Sequence, residues 1–314
     1  MAFNEDSRVK IPAGLDLVRL GYIYILLKGL KFKSLQSFAI FIGLTLLTFV
    51  QGCKSDVSEL KFGSLSTNQD LHFWYEGDQD NEYLDLLRSK YPIDSLVRTS
   101  TTDTERAQRV MNWVHNQWRH DGNNEPRQGD AVSILEEVKE GKNFRCVEYA
   151  VVASACLNAV GLKTRTLGLK TKEVETKKSG AGHVVSEVFL NDLDKWVFID
   201  PQWDVMPVLN NRPLNAVEFQ QAITNDFDRL EIHSSNASKS KYVNWIAPYL
   251  FYFDIPFDNR EGVNSQRETV HGKSKLMLVP HGAKEPTVFQ RRYKINNVIY
   301  TNSIHDFYAS PYQN

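Results

Sequence analysis

Asn143 to Gly161 reads NFRCVEYAVVASACLNAVG, and this stretch decides the fold. Ala, Val, Leu and Cys fill most of its positions, which suits a helix covered on nearly every side. Asn143 is placed to cap it and Gly161 to end it. Cys146 then stands in the first turn, where backbone N–H groups are unpaired and the helix end is positive. A thiol in such a place ionises more readily. On this helix alone the plainer reading is a small core residue, because free cysteine usually packs as one. Cys156 lies deep in the same apolar run and reads as inert packing. The two are ten residues apart on one helix, so about 15 Å apart. A disulfide needs Cα atoms within about 7 Å, so they do not pair with each other.

The chain downstream changes the balance. LKTRTLGL (162–169) reads as a strand, and KTKEVETKKSGAG (170–182) as a charged, then glycine-rich loop. HVVSEVFL (183–190), NDLD (191–194) and KWVFID (195–200) read as strand, turn and strand. With Leu190 opposite Lys195 across the turn, Val185 faces Asp200. Opposed residues share a face, as do residues two apart on one strand. His183 and Asp200 are therefore diagonal neighbours on one face. Asp200 ends its strand before Pro201, at the rim of the sheet.

A thiol at a helix start, a histidine opening a strand and an aspartate on the paired strand make a Cys-His-Asp set. The thiolate is the nucleophile, and imidazole carries protons and, when charged, keeps the thiolate ionised. The carboxylate fixes the imidazole's tautomer. The Cys146 backbone N–H is placed for an oxyanion hole, and Trp118 is one candidate for a side-chain donor. Gly180 and Gly182 are expected to keep the approach to His183 open. Taken singly, His183 could be a satisfied strand histidine and Asp200 a turn carboxylate; the order and placement of all three argue for chemistry.

RCVEYAVVASACLNAVGLKTRTLGL, GHVVSEVFL and KWVFIDPQWD together resemble the transglutaminase-like superfamily. Its pattern is a Cys opening a small-residue helix, a Gly-His strand, and a strand closing on Asp-Pro. The resemblance covers roughly residues 105–204. It implies an α+β, papain-like fold in which the helix carrying Cys146 packs on an antiparallel sheet. It also implies Cys146 as nucleophile, His183 as base and Asp200 as orienting acid. Asn143-Phe144-Arg145 departs from the glycine common near the cysteine, and Val185 from the aromatic common after the histidine. The superfamily includes crosslinking acyltransferases, cysteine peptidases, amidases and inactive members, and the fold does not choose among them. The expectation is thiol-dependent amide chemistry on a peptide or protein, hydrolytic by default. The alternatives are protein-glutamine acyl transfer and a non-catalytic binding lipoprotein.

The beginning of the chain has its own signal. FAIFIGLTLLTFV (38–50) is short, apolar and uncharged; Lys28, Lys31 and Lys33 precede it and Gly52-Cys53 follow. The run is short for a bilayer span but fits the apolar core of an export signal. VQGC followed by KSD resembles a bacterial lipoprotein signal, which implies lipidation of Cys53 and a lipid-anchored protein of the bacterial cell envelope. Gln51, where a small residue is usual, is a departure. The long stretch before the run suggests a start downstream of Met1. Loss of residues 1–52 would remove six Lys/Arg and three Asp/Glu and leave a net charge of −4, against −1 for the 314-residue chain.

The apolar share of 42% and charged share of 24% are those of a globular protein. No long basic run points to nucleic acid. His115 and His120 are five apart, the other histidines are scattered, and no HExxH occurs, so neither metal nor cofactor is expected. The expected organisation is an export segment at 1–52, a tether and first helix at 53–94, the catalytic core at 95–209 and a β-rich extension at 210–314. Helices are expected at Glu82–Lys90, from Thr102 to about Arg119, after Asp130, and from Asn215 to about Thr224. DRLEIHSSNASKSK reads as loop. Tyr242 to Phe257 reads as aromatic core strands or as a stacking wall for substrate. KSKLMLV, VFQRRYKI and VIYTN read as further strands, with a tight turn at Asn296-Asn297.

Overall fold

The computed structural model describes residues 58–67, 70–76, 81–262 and 267–312. The apolar run at 38–50 and Cys53 lie outside the described residues.

Among the described residues, four helices precede the cysteine helix: α1 (Glu82–Lys90), α2 (Ile93–Val97), α3 (Asp103–His115) and α4 (Ala131–Lys139). Side chains of Asn81, Thr102 and Asp130 cap α1, α3 and α4. The helix α3 stops at His115, short of Arg119, so Trp118 lies beyond it. The next helix, α5 (Cys146–Ala159), is the centre of this group. Eleven of its fourteen residues are buried, from Glu148 to Ala159 with only Val151 left partly open. Asn143 does not cap it. Glu148 instead accepts the backbone N–H of Arg145 at 3.0 Å, and Asn143 turns away to accept the N–H of Arg119 at 3.0 Å. Gly161, at φ +83°, ends α5 in the left-handed conformation that glycine adopts without penalty.

A mixed, six-stranded sheet follows, in the order β11-β8-β7-β1-β2-β3. Its strands are β1 (Thr164–Lys170), β2 (Gly182–Leu190), β3 (Lys195–Ile199), β7 (Tyr252–Pro256), β8 (Lys275–Leu278) and β11 (Val298–Thr301). All neighbours are antiparallel except β11 and β8, which are parallel. Leu190 pairs with Lys195 and Ser186 with Ile199, the register that the four-residue turn predicts.

Parity then sorts β2 between two cores. Val188 and Leu190 pack with the helices, and Ser186 Oγ donates to Ala150 O of α5 at 3.1 Å. His183 and Val185 point to the other face. There a second core holds Val185, Phe198, Phe253 and residues of α6 (Ala216–Asn225) and α7 (Lys239–Ile246). A small sheet, β5-β4-β6, is built from β4 (Met206–Leu209), β5 (Arg212–Pro213) and β6 (Leu230–His233). The stretch expected as loop at 228–241 thus contains β6 and the start of α7.

Three strands of the last hundred residues, β7, β8 and β11, extend the main sheet, and the others pair in the two smaller sheets. The hairpin of β9 (Val288–Phe289) and β10 (Tyr293–Lys294) turns at Gln290 and Arg291, both at positive φ. Asn296 and Asn297 are not the hairpin turn; they lead from β10 into β11. The chain closes on α8 (Ile304–Phe307). Residues 58–76 do not behave as a free tether where they are described. Gly63 N–H donates to Asn302 O at 2.7 Å, Trp74 N–H donates to Phe257 O at 2.8 Å, and Phe62 and Phe73 pack on the second core.

Candidate active site

Cys146 is the first residue of α5 and is half-buried, whereas Cys156 is fully buried among apolar side chains, and burial pushes its thiol up. His183 is the second residue of β2, at the end of the sheet where the first turn of α5 arrives. Its Nε2 lies 2.9 Å from Asp200 Oδ2, and the Cys146 side chain lies close enough to the ring to favour its charged form. With Nε2 engaged by Asp200, Nδ1 is the nitrogen left for the thiol. The structure therefore brings Cys146, His183 and Asp200 together, with the imidazole in the middle.

Burial opposes charge on His183, but the Asp200 carboxylate and then Cys146 outweigh it and bring the imidazole up to about 9. Asp200 is fully buried and held by its own turn. Its backbone exchanges hydrogen bonds with Val205, at 2.8 and 3.0 Å, around a tight turn in which Asp204 takes φ +52°. Oδ1 accepts the N–H of Gln202 at 3.1 Å. From α3, His115 Nδ1 donates to the carbonyls of Gln202 and Pro201 at 3.0 and 3.2 Å and clamps the same turn.

Aromatic residues of 242–249, expected as core strands or a stacking wall, complete the site together with Trp203. Tyr242 O–H donates to Asp200 Oδ2 at 2.9 Å. Trp245 sets its edge against the His183 ring at 4.8 Å between centroids, and Tyr249 lies 6.1 Å from it. Trp203 packs on Trp245 at 5.0 Å. Tyr242 and Trp245 lie on α7, and Tyr249 in the single 3-10 turn Ala247–Tyr249 that follows it. Their spacing of three and four residues was the available signal of a helix carrying one aromatic stripe.

The other flank is the segment 116–124, which runs beside 143–144. Trp118 stacks on Tyr149 at 4.2 Å, and its carbonyl accepts Tyr149 O–H at 2.7 Å. Trp118 Nε1 is buried with no hydrogen-bond partner among the described residues. His120, in the same segment, is held below the usual imidazole range by burial and then by the charge of His183. Gly182 does not leave open space. Its missing Cβ would lie 2.9 Å from the Phe289 ring, so glycine here lets β9 pack against the start of β2.

Residues 93–201 match the family model of the transglutaminase-like superfamily, and this span includes Cys146, His183 and Asp200. That stretch of the chain is a transglutaminase-like domain. Among solved structures, the chain is similar to a proposed cysteine protease from Cytophaga hutchinsonii, at 13% identity over 56% of each chain with a TM-score of 0.32. It is also similar to red sea bream transglutaminase, at 15% identity over 41% of this chain and 30% of that one, TM-score 0.28. A third likeness is to Legionella pneumophila LapG, at 12% identity over 54% of this chain and 95% of that one, TM-score 0.30. The chain thus spans 56% of the first of these structures and 30% of the second. No curated protein matches the sequence.

Proposed function

We propose that the protein is a thiol-dependent amide hydrolase, a cysteine peptidase or amidase, acting on an extracytoplasmic peptide or protein from a lipid anchor at Cys53. The observation that carries the chemistry is the order Cys146–His183–Asp200, with His183 hydrogen-bonded to Asp200 and set beside the Cys146 thiol. The Cys146 thiolate attacks the amide carbonyl, and the charged His183 gives its proton to the departing amine, leaving an acyl-thioester. Water then attacks the thioester, His183 takes the proton, and the carboxylic acid leaves as the thiolate is restored. Negative charge on the carbonyl oxygen is met by the Cys146 backbone N–H, which has no partner within α5. The unpaired indole N–H of Trp118, whose ring packs on Tyr149 three residues after Cys146, is the side-chain donor we assign. Hydrolysis is the default over acyl transfer, since water needs no binding site of its own whereas transfer needs a bound amine. The anchor rests on the sequence around Gly52-Cys53.

One experiment reads both parts. Protein from membranes of a bacterial host is treated with p-nitrophenyl acetate and analysed by intact and peptide mass. The expected result is lipid on Cys53 and one acetyl on Cys146, with no acetyl in Cys146→Ala. An unmodified Cys53 in soluble protein would remove the anchor; the absence of both an acetyl on Cys146 and Cys146-dependent release of p-nitrophenol would remove the amide chemistry.

A further inference from the structure

Tyr242 lies outside the span matched by the superfamily model, forty-two residues beyond Asp200 in sequence, yet it shares an oxygen with the catalytic histidine. Both bonds to Asp200 Oδ2 measure 2.9 Å. The phenol is fully buried. Phe219 of α6 stacks on it with rings 8° from parallel and centroids 6.3 Å apart, and Trp203 meets it edge-on at 5.9 Å. This packing gives the hydroxyl little freedom to turn elsewhere. Burial, and then the Asp200 charge, raise its pKa well above the ordinary phenol value, so the group stays protonated and acts here as a donor.

We propose that Tyr242 is a positioning residue of the active site, whose hydroxyl fixes Asp200 and divides that carboxylate's charge between itself and His183. The inference rests on the amide-chemistry reading above and extends it by giving α7 a part in the reaction. A donor on Oδ2 fixes the carboxylate rotamer on which the imidazole is oriented. It also draws part of the negative charge that would otherwise serve the imidazolium alone. A histidine held less tightly in its charged form is a better acid toward the leaving amine. The titratable groups that face or interact with His183 are Cys146 on α5, Asp200 after β3, His120 before α4, and Tyr249 after α7, with Tyr242 acting through Asp200.

The test is Tyr242→Phe, which keeps the ring and removes the hydroxyl. A hydrogen bond to a charged group is worth enough that its loss should lower kcat about tenfold, with KM unchanged. The imidazole titration, followed by NMR of the ring, should move to higher pH, and the alkaline limb of the rate profile should move with it. Phe219→Leu disturbs the same packing without removing the donor; it should lower Tm and leave the titration in place. The inference is overturned if the Tyr242→Phe titration matches the wild type, or if Phe219→Leu moves it equally. Because NMR reads His183 without turnover, an inactive wild-type protein would count against the amide reading alone.

Discussion

His183 gathers the site's electrostatics into one residue. Its imidazole is brought up to about 9, against about 6.5 for an ordinary histidine. A group whose folded value is raised binds its proton more tightly when folded, so it stabilises the fold wherever that proton is bound. That contribution is complete below about pH 6.5 and is lost as pH rises through about 9; its size is about 3 kcal/mol. Urea unfolding of wild type and His183→Gln at pH 6 and pH 9.5 checks this. The gap between the two should shrink by about that amount at the higher pH. An unchanged gap would mean that Asp200 and Cys146 do not hold the charged form.

Among the elements, the β2–β3 hairpin was the most legible in the sequence, and the reason is physical. A four-residue turn between two apolar runs fixes the register, and strand parity then fixes which side chains share a face. The helix α5 was legible for a similar reason, since its composition leaves no polar face. Its capping was not, because Asn143 has the better capping side chain by type, whereas the cap is made by Glu148 reaching back to the N–H of Arg145. The helix α7 was hidden in a Ser- and Lys-rich stretch whose only helical signal is the aromatic spacing of Tyr242, Trp245 and Tyr249. Strand β1 conceals a further element-scale device. Arg165 and Glu187, on the paired strands β1 and β2, form an ion pair with both side chains at 0% exposure. Arg165 lies against Trp196 at 4.2 Å, and Glu187 accepts Tyr308 O–H at 3.0 Å. Removing one partner leaves a buried charge without its counterpart, which costs about 3–5 kcal/mol. Glu187→Gln should lower stability by that order in a denaturant titration, and a change near zero would show that water reaches Arg165.

At the scale of the whole molecule, the last hundred residues are part of the same construction as the helices before them. Strands β7, β8 and β11 extend the sheet that carries His183, and α7 covers the face on which His183 and Asp200 meet. None of this long-range pairing is written in local pattern: the parallel match of β11 to β8 depends on what lies between them. The consequence for Cys146 and Cys156 is that one helix holds two thiols in opposite surroundings. The fold leaves Cys146 half-open beside His183 and seals Cys156 within the helical core. A charged imidazole beside a thiol favours the reactive thiolate, and an apolar enclosure suppresses it. The most direct measurement is therefore site-resolved alkylation of the folded protein by iodoacetamide at about pH 7. Cys146 should be labelled and Cys156 spared, with labelling of Cys146 slowed in His183→Ala. Two thiols that remain unlabelled until the protein is denatured, or a Cys146 rate indifferent to His183, would contradict a catalytic Cys146.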